Sequence, residues 1–142
     1  MKVKISKQVF ILGMVSLFTD IASEMLYPVT PIFLTVVLGS SMAVVGLIEG
    51  IAEVTSGLLK GYFGNLSDKL GKRSIFVVFG YGISALAKSL PGIFQNIPVV
   101  LTSRVSDRIG KGIRTAPRDA LLASYSNGNS GAVFGFHRAL DT

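Results

Sequence analysis

Hydrophobic residues run along this chain in four long passes with short polar breaks between them. Met1–Lys7 is polar and basic. Val9–Val37 follows, 29 residues with Asp20 and Glu24 as the only charges. Gly39-Ser40-Ser41 is a turn signal. Ala43–Leu66 is a second apolar pass, with Glu49, Glu53 and Lys60 inside it. Ser67–Ser74 reads as a compact charged loop. Ile75–Leu90 is a third pass, broken by Pro91-Gly92, and Pro98 to about Leu122 is a fourth. Ser124–Ser130 is a Ser/Asn/Gly loop, and a fifth helix opens at about Gly131. The predicted helices are therefore 8–38, 43–66, 74–96 and 98–122, with the fifth starting near 131.

A hydrocarbon core of about 30 Å is crossed by about 20 helical residues. The first two passes meet that length with room to spare. The first is also too long for a signal peptide and lacks a small-residue cleavage site. The third spans only if it continues to about Asn96. The fourth fails on hydropathy, because it holds Arg104, Asp107, Arg108, Lys111, Arg114, Arg118 and Asp119. Charge asymmetry places it in the membrane nonetheless. With Lys2, Lys4 and Lys7 in the cytoplasm, the loop bearing Lys69, Lys72 and Arg73 is cytoplasmic too. The outer turns, Gly39–Met42 and Pro91–Ile97, carry no charge. A fourth span then brings Arg114, Arg118 and Arg138 inside as well, as the positive-inside rule requires.

Composition agrees with a membrane chain. In 142 residues, 49% are hydrophobic and 15% charged, against roughly 25% charged in soluble domains. Mean hydropathy is +0.58. Fourteen Lys and Arg against eight Asp and Glu give +6. The basic residues are spread over helix ends and one stripe, which excludes a nucleic-acid patch. The absence of Cys removes disulfides, thiol nucleophiles and thiolate metal sites, and a single His leaves little for zinc. No cofactor is expected.

Periodicity sorts the faces. At about 100° per residue, the seven charges of the fourth helix fall within an arc of about 140°, opposite Val105, Ile109, Ile113 and Ala120. Such a helix lies on a membrane surface or lines a wet cavity inside it. In helix 1, Ser16, Thr19, Asp20, Ser23, Glu24, Tyr27 and Thr30 form a second stripe of about 140°. Helix 3 has one charge, Lys88, and is expected to face lipid. In helix 2, Glu49, Glu53, Ser56 and Lys60 share a side. Gly46, Gly50, Gly57, Gly61 and Gly64 lie beside them, a small-residue face suited to close helix contact. A mid-membrane glutamate costs roughly 2–3 kcal/mol unless paired or protonated. Lys60 and the helix 4 arginines are the available partners, so Glu49 and Glu53 are either static packing charges or functional ones.

Gly64-Asn-Leu-Ser-Asp68-Lys-Leu-Gly71-Lys72-Arg73 joins the second and third passes on the basic side. Gly64 is expected to end a helix, Asp68 to sit in a tight turn near backbone N–H groups, and Gly71 to take positive φ. The stretch resembles the signature loop of the major facilitator superfamily, G-x-L-[AS]-D-[RK]-x-G-[RK]-[RK], at every specified position. Arg104-x-x-Asp107-Arg108-x-Gly110-x-Gly112 is similar to the family's helix 4 motif R-x-x-[QD]-G-x-G, with Arg108 and Ile109 standing between Asp107 and Gly110. Asp20-x-x-x-Glu24-x-x-Tyr-Pro28-x-x-Pro31 resembles the acidic, proline-broken first helix of its drug and metabolite carriers.

The resemblance implies an all-α integral membrane protein. The chain would be the N-terminal part of a twelve-helix bundle, with four transmembrane helices and the start of a fifth. It implies a secondary transporter of a small solute working by alternating access, with a second half of the same polypeptide completing the cavity. The fragment alone would be inactive. Gly64, Asp68, Gly71, Lys72 and Arg73 would form a conformational latch. Asp20 and Glu24 would be proton-exchange carboxylates. Arg104 and Arg108 would bind an anionic substrate or serve as counter-ions, and Asp107 would share the helix 4 motif's link to proton transfer. The family's proton-coupled carriers of drug and metabolite efflux type, including antiporters of the inner membrane, are the nearest functional type. The other reading is a non-transporting membrane scaffold or anionic-lipid-binding module. No enzyme is expected. Leu66 stands where a phosphate loop needs glycine, Gly110-Lys111-Gly112 lacks a preceding strand, and no nucleophile–base pair is visible. His137 reads as a helix-start residue at the interface.

Overall fold

A computed structural model describes residues 5–126 and 128–141. Lys2 and Lys4 of the basic N-terminus, Asn127 of the polar loop and Thr142 lie outside the described residues. Every regular element among those residues is helical. Helix α1 (Lys7–Ile32) runs on into one π-helical turn, Phe33–Val37. It starts where the Ser6 hydroxyl accepts from the Val9 N–H at 3.4 Å. It ends at Gly39, whose φ of 65° turns the chain. Helices α2 (Met42–Leu70), α3 (Arg73–Ile93), α4 (Ile97–Ser124) and α5 (Ser130–Leu140) follow. Asn96 caps α4 through its side-chain oxygen, 3.0 Å from the Val99 N–H, and Pro98 stands in the first turn.

Two boundaries differ from those expected of the sequence. Helix α2 does not stop near Leu66. It continues through Ser67, Asp68 and Lys69 and ends only where Gly71 adopts a left-handed φ of 63°. The charged loop therefore shrinks to Gly71 and Lys72, because nothing in Leu66–Leu70 breaks a helix. Gly64 lies inside α2 rather than at its end. In α3, Pro91 does not break the helix. Its missing N–H leaves the Ala87 carbonyl without its usual donor, and the Ser103 hydroxyl of α4 donates to that carbonyl at 2.6 Å. At 21 residues, α3 spans about 31 Å without reaching Asn96. Helices α1, α2 and α3 are long and apolar enough to cross a membrane; α4 is long enough but too charged to qualify by composition.

Helix α4 is the centre of the packing. It lies along α3 and α2, and α5 packs on α1 and α4. Pairings fix the directions. Glu49 meets Arg104 and Gly64 meets Ala116, so α2 and α4 run parallel. Ala87 meets Ser103 and Gly80 meets Arg114, so α3 runs against α4. Two apolar clusters form at opposite ends. Leu34, Val45, Ile48 and Val100 join the end of α1 to the starts of α2 and α4. Val9, Leu122 and Val133 join the start of α1 to the end of α4 and the start of α5. Val100 and Leu122 are about 33 Å apart along α4, and the charged stripe lies between them.

The closest helix approach is not at the glycine face of α2. A Cβ at Gly46, Gly50, Gly57 or Gly61 would meet nothing within 4 Å; of that set, Gly64 alone meets a neighbour, Ala116 Cβ at 3.0 Å. The tight contact is between α3 and α4. A Cβ on Gly80 would stand 2.6 Å from the Gly110 carbonyl oxygen, and one on Gly110 would stand 2.6 Å from the Gly80 oxygen. Two glycines facing each other bring the backbones close enough for the polar contacts described next.

Candidate functional site

Between the two apolar clusters, each neighbouring helix supplies a partner to the charges of α4. Arg104 takes Glu49 of α2, Nη2 to Oε1 at 2.6 Å, and Nε donates to the same oxygen at 2.7 Å. One turn on, Arg108 Nε lies 3.6 Å from Glu53 Oε2. The i, i+4 spacing on two parallel helices makes these two rungs of one ladder. Asp107 takes Lys88 of α3 at 3.2 Å, and the same ammonium donates to the Thr19 carbonyl of α1 at 3.3 Å. Arg114 donates to Ser84 Oγ at 2.7 Å, stacks 4.4 Å from the Tyr81 ring centroid, and reaches Asp20 of α1 at 4.0 Å. Arg118 forks onto both carboxylate oxygens of Asp141 at 3.1 Å each. Its Nη1 also donates to Ser16 Oγ at 3.0 Å.

These contacts give the charges a physical rationale. In a helix at the bilayer centre, each Arg, Lys or Asp costs about 2.5–3.5 kcal/mol when unpaired. Pairing with hydrogen bonds offsets much of that cost. Arg104, Asp107, Arg114 and Arg118 are buried, so this part of the stripe turns toward neighbouring helices, while Lys111 of the same stripe is exposed. Glu49 and Glu53 are not equivalent: the side chain of Glu49 is 29% exposed and that of Glu53 is 70% exposed. Lys60 pairs with neither, since about 10 Å of helix axis separates it from Glu53 and more from Glu49. It faces the cavity instead.

That cavity has a volume of about 320 Å³. Asp20, Ser23, Glu24 and Tyr27 of α1 form one wall. Arg104, Asp107, Arg108, Lys111, Arg114, Thr115, Arg118 and Asp119 of α4 form another, and Lys60, Arg138 and Asp141 complete it. A second cavity of about 280 Å³ lies between α1, α3 and α4, lined by apolar residues such as Leu26, Val29, Phe33 and Val100 together with Lys88, Arg104 and Asp107. Asp20, Glu24, Arg104, Asp107 and Arg108, the five residues that the sequence singles out for proton or substrate binding, thus share one cavity.

The α2–α3 turn stands apart from it. Asp68 sits in the last turn of α2 and not in the loop. It accepts from Arg73 Nε at 2.9 Å and Nη2 at 2.7 Å. A side chain has taken the place expected for backbone donors, because Arg73 starts α3 five residues on. Gly71 has the positive φ that the spacing requires, and Lys72 is exposed.

Sequence reasoning misses four members of the charged layer as site residues. Lys88 lies on a helix expected to face lipid, yet it pairs with Asp107. The i, i+3, i+7 spacing of Tyr81, Ser84 and Lys88 marks a polar face on α3 and is the signal that could reveal it; Val78, Phe79 and Leu86 hold the exposed side. Arg114 and Arg118 belong to the stripe, but periodicity does not single them out as binding residues. Asp141 carries no local signal, since its partners Ser16 and Arg118 are 125 and 23 residues away. His137 is not at a helix start. It is buried in the last turn of α5, with Nδ1 4.0 Å from Asp141. No group of His, Asp or Glu among the described residues could hold a metal ion.

Comparison with known proteins places the chain in a family. An uncharacterized MFS-type transporter of Methanocaldococcus jannaschii is 42% identical over 140 residues, 98% of this chain and 35% of the relative. Uncharacterized proteins of Mycobacterium bovis and Mycobacterium tuberculosis are each 29% identical over 134 residues, 94% of this chain and 32% of theirs. The chain thus spans about a third of the length of the curated relatives it matches. No solved structure matches it significantly. The profile of the Major Facilitator Superfamily matches residues 12–141, and with that match the chain belongs to this superfamily, whose members are transporters and not enzymes.

Proposed function

We propose that this chain forms the N-terminal part of a proton-coupled secondary transporter that moves a small solute across the cytoplasmic membrane by alternating access, as an efflux antiporter. The observation that carries this reading is the charged cavity itself, held between apolar clusters among helices of membrane length. A polar site near the midplane with apolar ends is what alternating access works on. In this proposal Asp20 and Glu24 exchange protons. Protonation of Asp20 removes its attraction to Arg114 and loosens α1 from α4. Asp107 with Lys88, and Arg104 and Arg108 with Glu49 and Glu53, hold α4 to α3 and α2 while α1 moves. Gly64, Asp68, Gly71, Lys72 and Arg73 serve as the latch toward the second half. The N-terminus and the α2–α3 turn face the cytoplasm, the side that the basic ends favour.

The test uses the full-length transporter in proteoliposomes with an imposed pH gradient and labelled solutes. Asp20→Asn and Arg104→Ala are expected to abolish gradient-driven movement. Wild-type rates in both variants would remove these residues from the mechanism, and the present chain alone is expected to give none.

A further inference from the structure

The charges on the cavity wall divide into matched and unmatched. Asp20, Asp107, Asp119 and Asp141 each stand within 4.0 Å of a lysine or arginine, and Arg104, Arg108, Arg114 and Arg118 each stand within 4.0 Å of a carboxylate. Among the described residues, Lys60, Lys111 and Arg138 have no acidic partner, and Glu24 has no basic one. All four are exposed and line the same cavity. The unmatched groups are three cations and one anion, while Arg118 serves both Asp119 and Asp141; the lining as a whole holds seven Lys and Arg against five Asp and Glu. Apart from Tyr27, no residue of that lining is hydrophobic.

An uncompensated excess of cations in a low-dielectric cleft attracts counter-charge and concentrates anions there. We infer that the transported solute is a small hydrophilic anion carrying two or more negative charges on carboxylate or phosphoryl oxygens, bound by Lys60, Lys111 and Arg138. This inference rests on the transporter reading above. It moves recognition away from Arg104 and Arg108, which Glu49 and Glu53 already occupy. A lipophilic cation would leave three cations uncompensated in the cleft. The adjoining apolar cavity has the surface for such a solute, but its one carboxylate, Asp107, is already paired with Lys88, so it offers no free anion to hold a cation.

The experiment is thermal unfolding of the purified full-length transporter at constant ionic strength. The added probes are a panel of di- and tricarboxylates and sugar phosphates, glucose as the neutral probe and tetraphenylphosphonium as the lipophilic cation. Anions of the panel are expected to raise the midpoint saturably, and the other two probes to leave it unmoved. Lys111→Gln and Arg138→Gln should each weaken the apparent anion affinity about tenfold, the loss of one charge-assisted contact. Lys7→Gln, at the start of α1 and outside the cavity lining, should keep it. Equal midpoints without solute show that the variants fold. Saturable stabilisation by glucose or tetraphenylphosphonium, no response to any anion, or unchanged anion affinity in both cavity variants would each overturn the inference. Tracer exchange in proteoliposomes with the same panel separates it from the transporter reading. Anion binding without exchange removes transport and leaves the site. Exchange of a neutral or cationic solute keeps transport and removes the anion.

Discussion

At Arg118, two guanidinium nitrogens meet the two carboxylate oxygens of Asp141, and the Ser16 hydroxyl closes the group by donating to Asp141 while accepting from Arg118. Three helical segments of the chain are tied in one place. Removing one partner of a buried pair leaves the other charge uncompensated, at a cost of about 3–5 kcal/mol. Arg118→Ala should therefore lower the thermal midpoint in detergent sharply. Arg118→Lys should recover only part of the loss, because an ammonium cannot reproduce the fork. An unchanged midpoint in the alanine variant would show that the pair contributes nothing to holding α4. The side of α4 that Arg118 occupies is legible from periodicity. Its partners are not, since 102 residues separate it from Ser16.

At the scale of elements, α3 and α4 illustrate how a small residue sets what its neighbours can do. Gly80 and Gly110 bring the two backbones together, and only then do Ser84, Lys88 and Ser103 reach across. A side chain at Gly80 would have to displace backbone, and overpacking of this kind costs about 1–3 kcal/mol. Gly80→Val should destabilise the protein and loosen the Lys88–Asp107 pair. Gly82→Ala, where a Cβ meets nothing within 4 Å, should be neutral or stabilising by up to about 1 kcal/mol, as expected from helix propensity. Thermal midpoints of the two variants check this, and equal losses would mean that the close approach is not what matters. Glycine spacing alone points to α2, where most glycines face open space. Spacing says which residues share a face, but not which face meets a neighbour.

At the scale of the whole molecule, the charged layer lies between apolar ends, and the short turns alternate between those ends. The proposed topology puts the α1–α2 turn outside and the α2–α3 turn inside. This stretch has no cysteine, so single cysteines at Ser41 and Lys72, placed in a full-length transporter with any cysteine elsewhere replaced, report on each turn. In intact cells, a membrane-impermeant thiol reagent should label Ser41→Cys and spare Lys72→Cys until the membrane is opened. The reverse pattern would invert the orientation.

The number of long helices, their approximate ends and the polar stripes of α1 and α4 were determined by the sequence. Hydropathy and helical periodicity are local properties, written in neighbouring residues. The end of α2 is harder to place, because Leu66–Leu70 has strong charge but no helix breaker, and charge alone does not stop a helix. The family signature is legible because its ten positions are contiguous. Only the tertiary structure decided which charges neutralise one another. Glu49 with Arg104, Lys88 with Asp107 and Asp141 with Arg118 are matched across helices by direction, rotation and close approach. That matching separates the cations that hold helices together from Lys60, Lys111 and Arg138, which have no acidic partner among the described residues. Pairing energy falls off over a few ångströms, and distances of that size between remote residues exist only once the helices are packed.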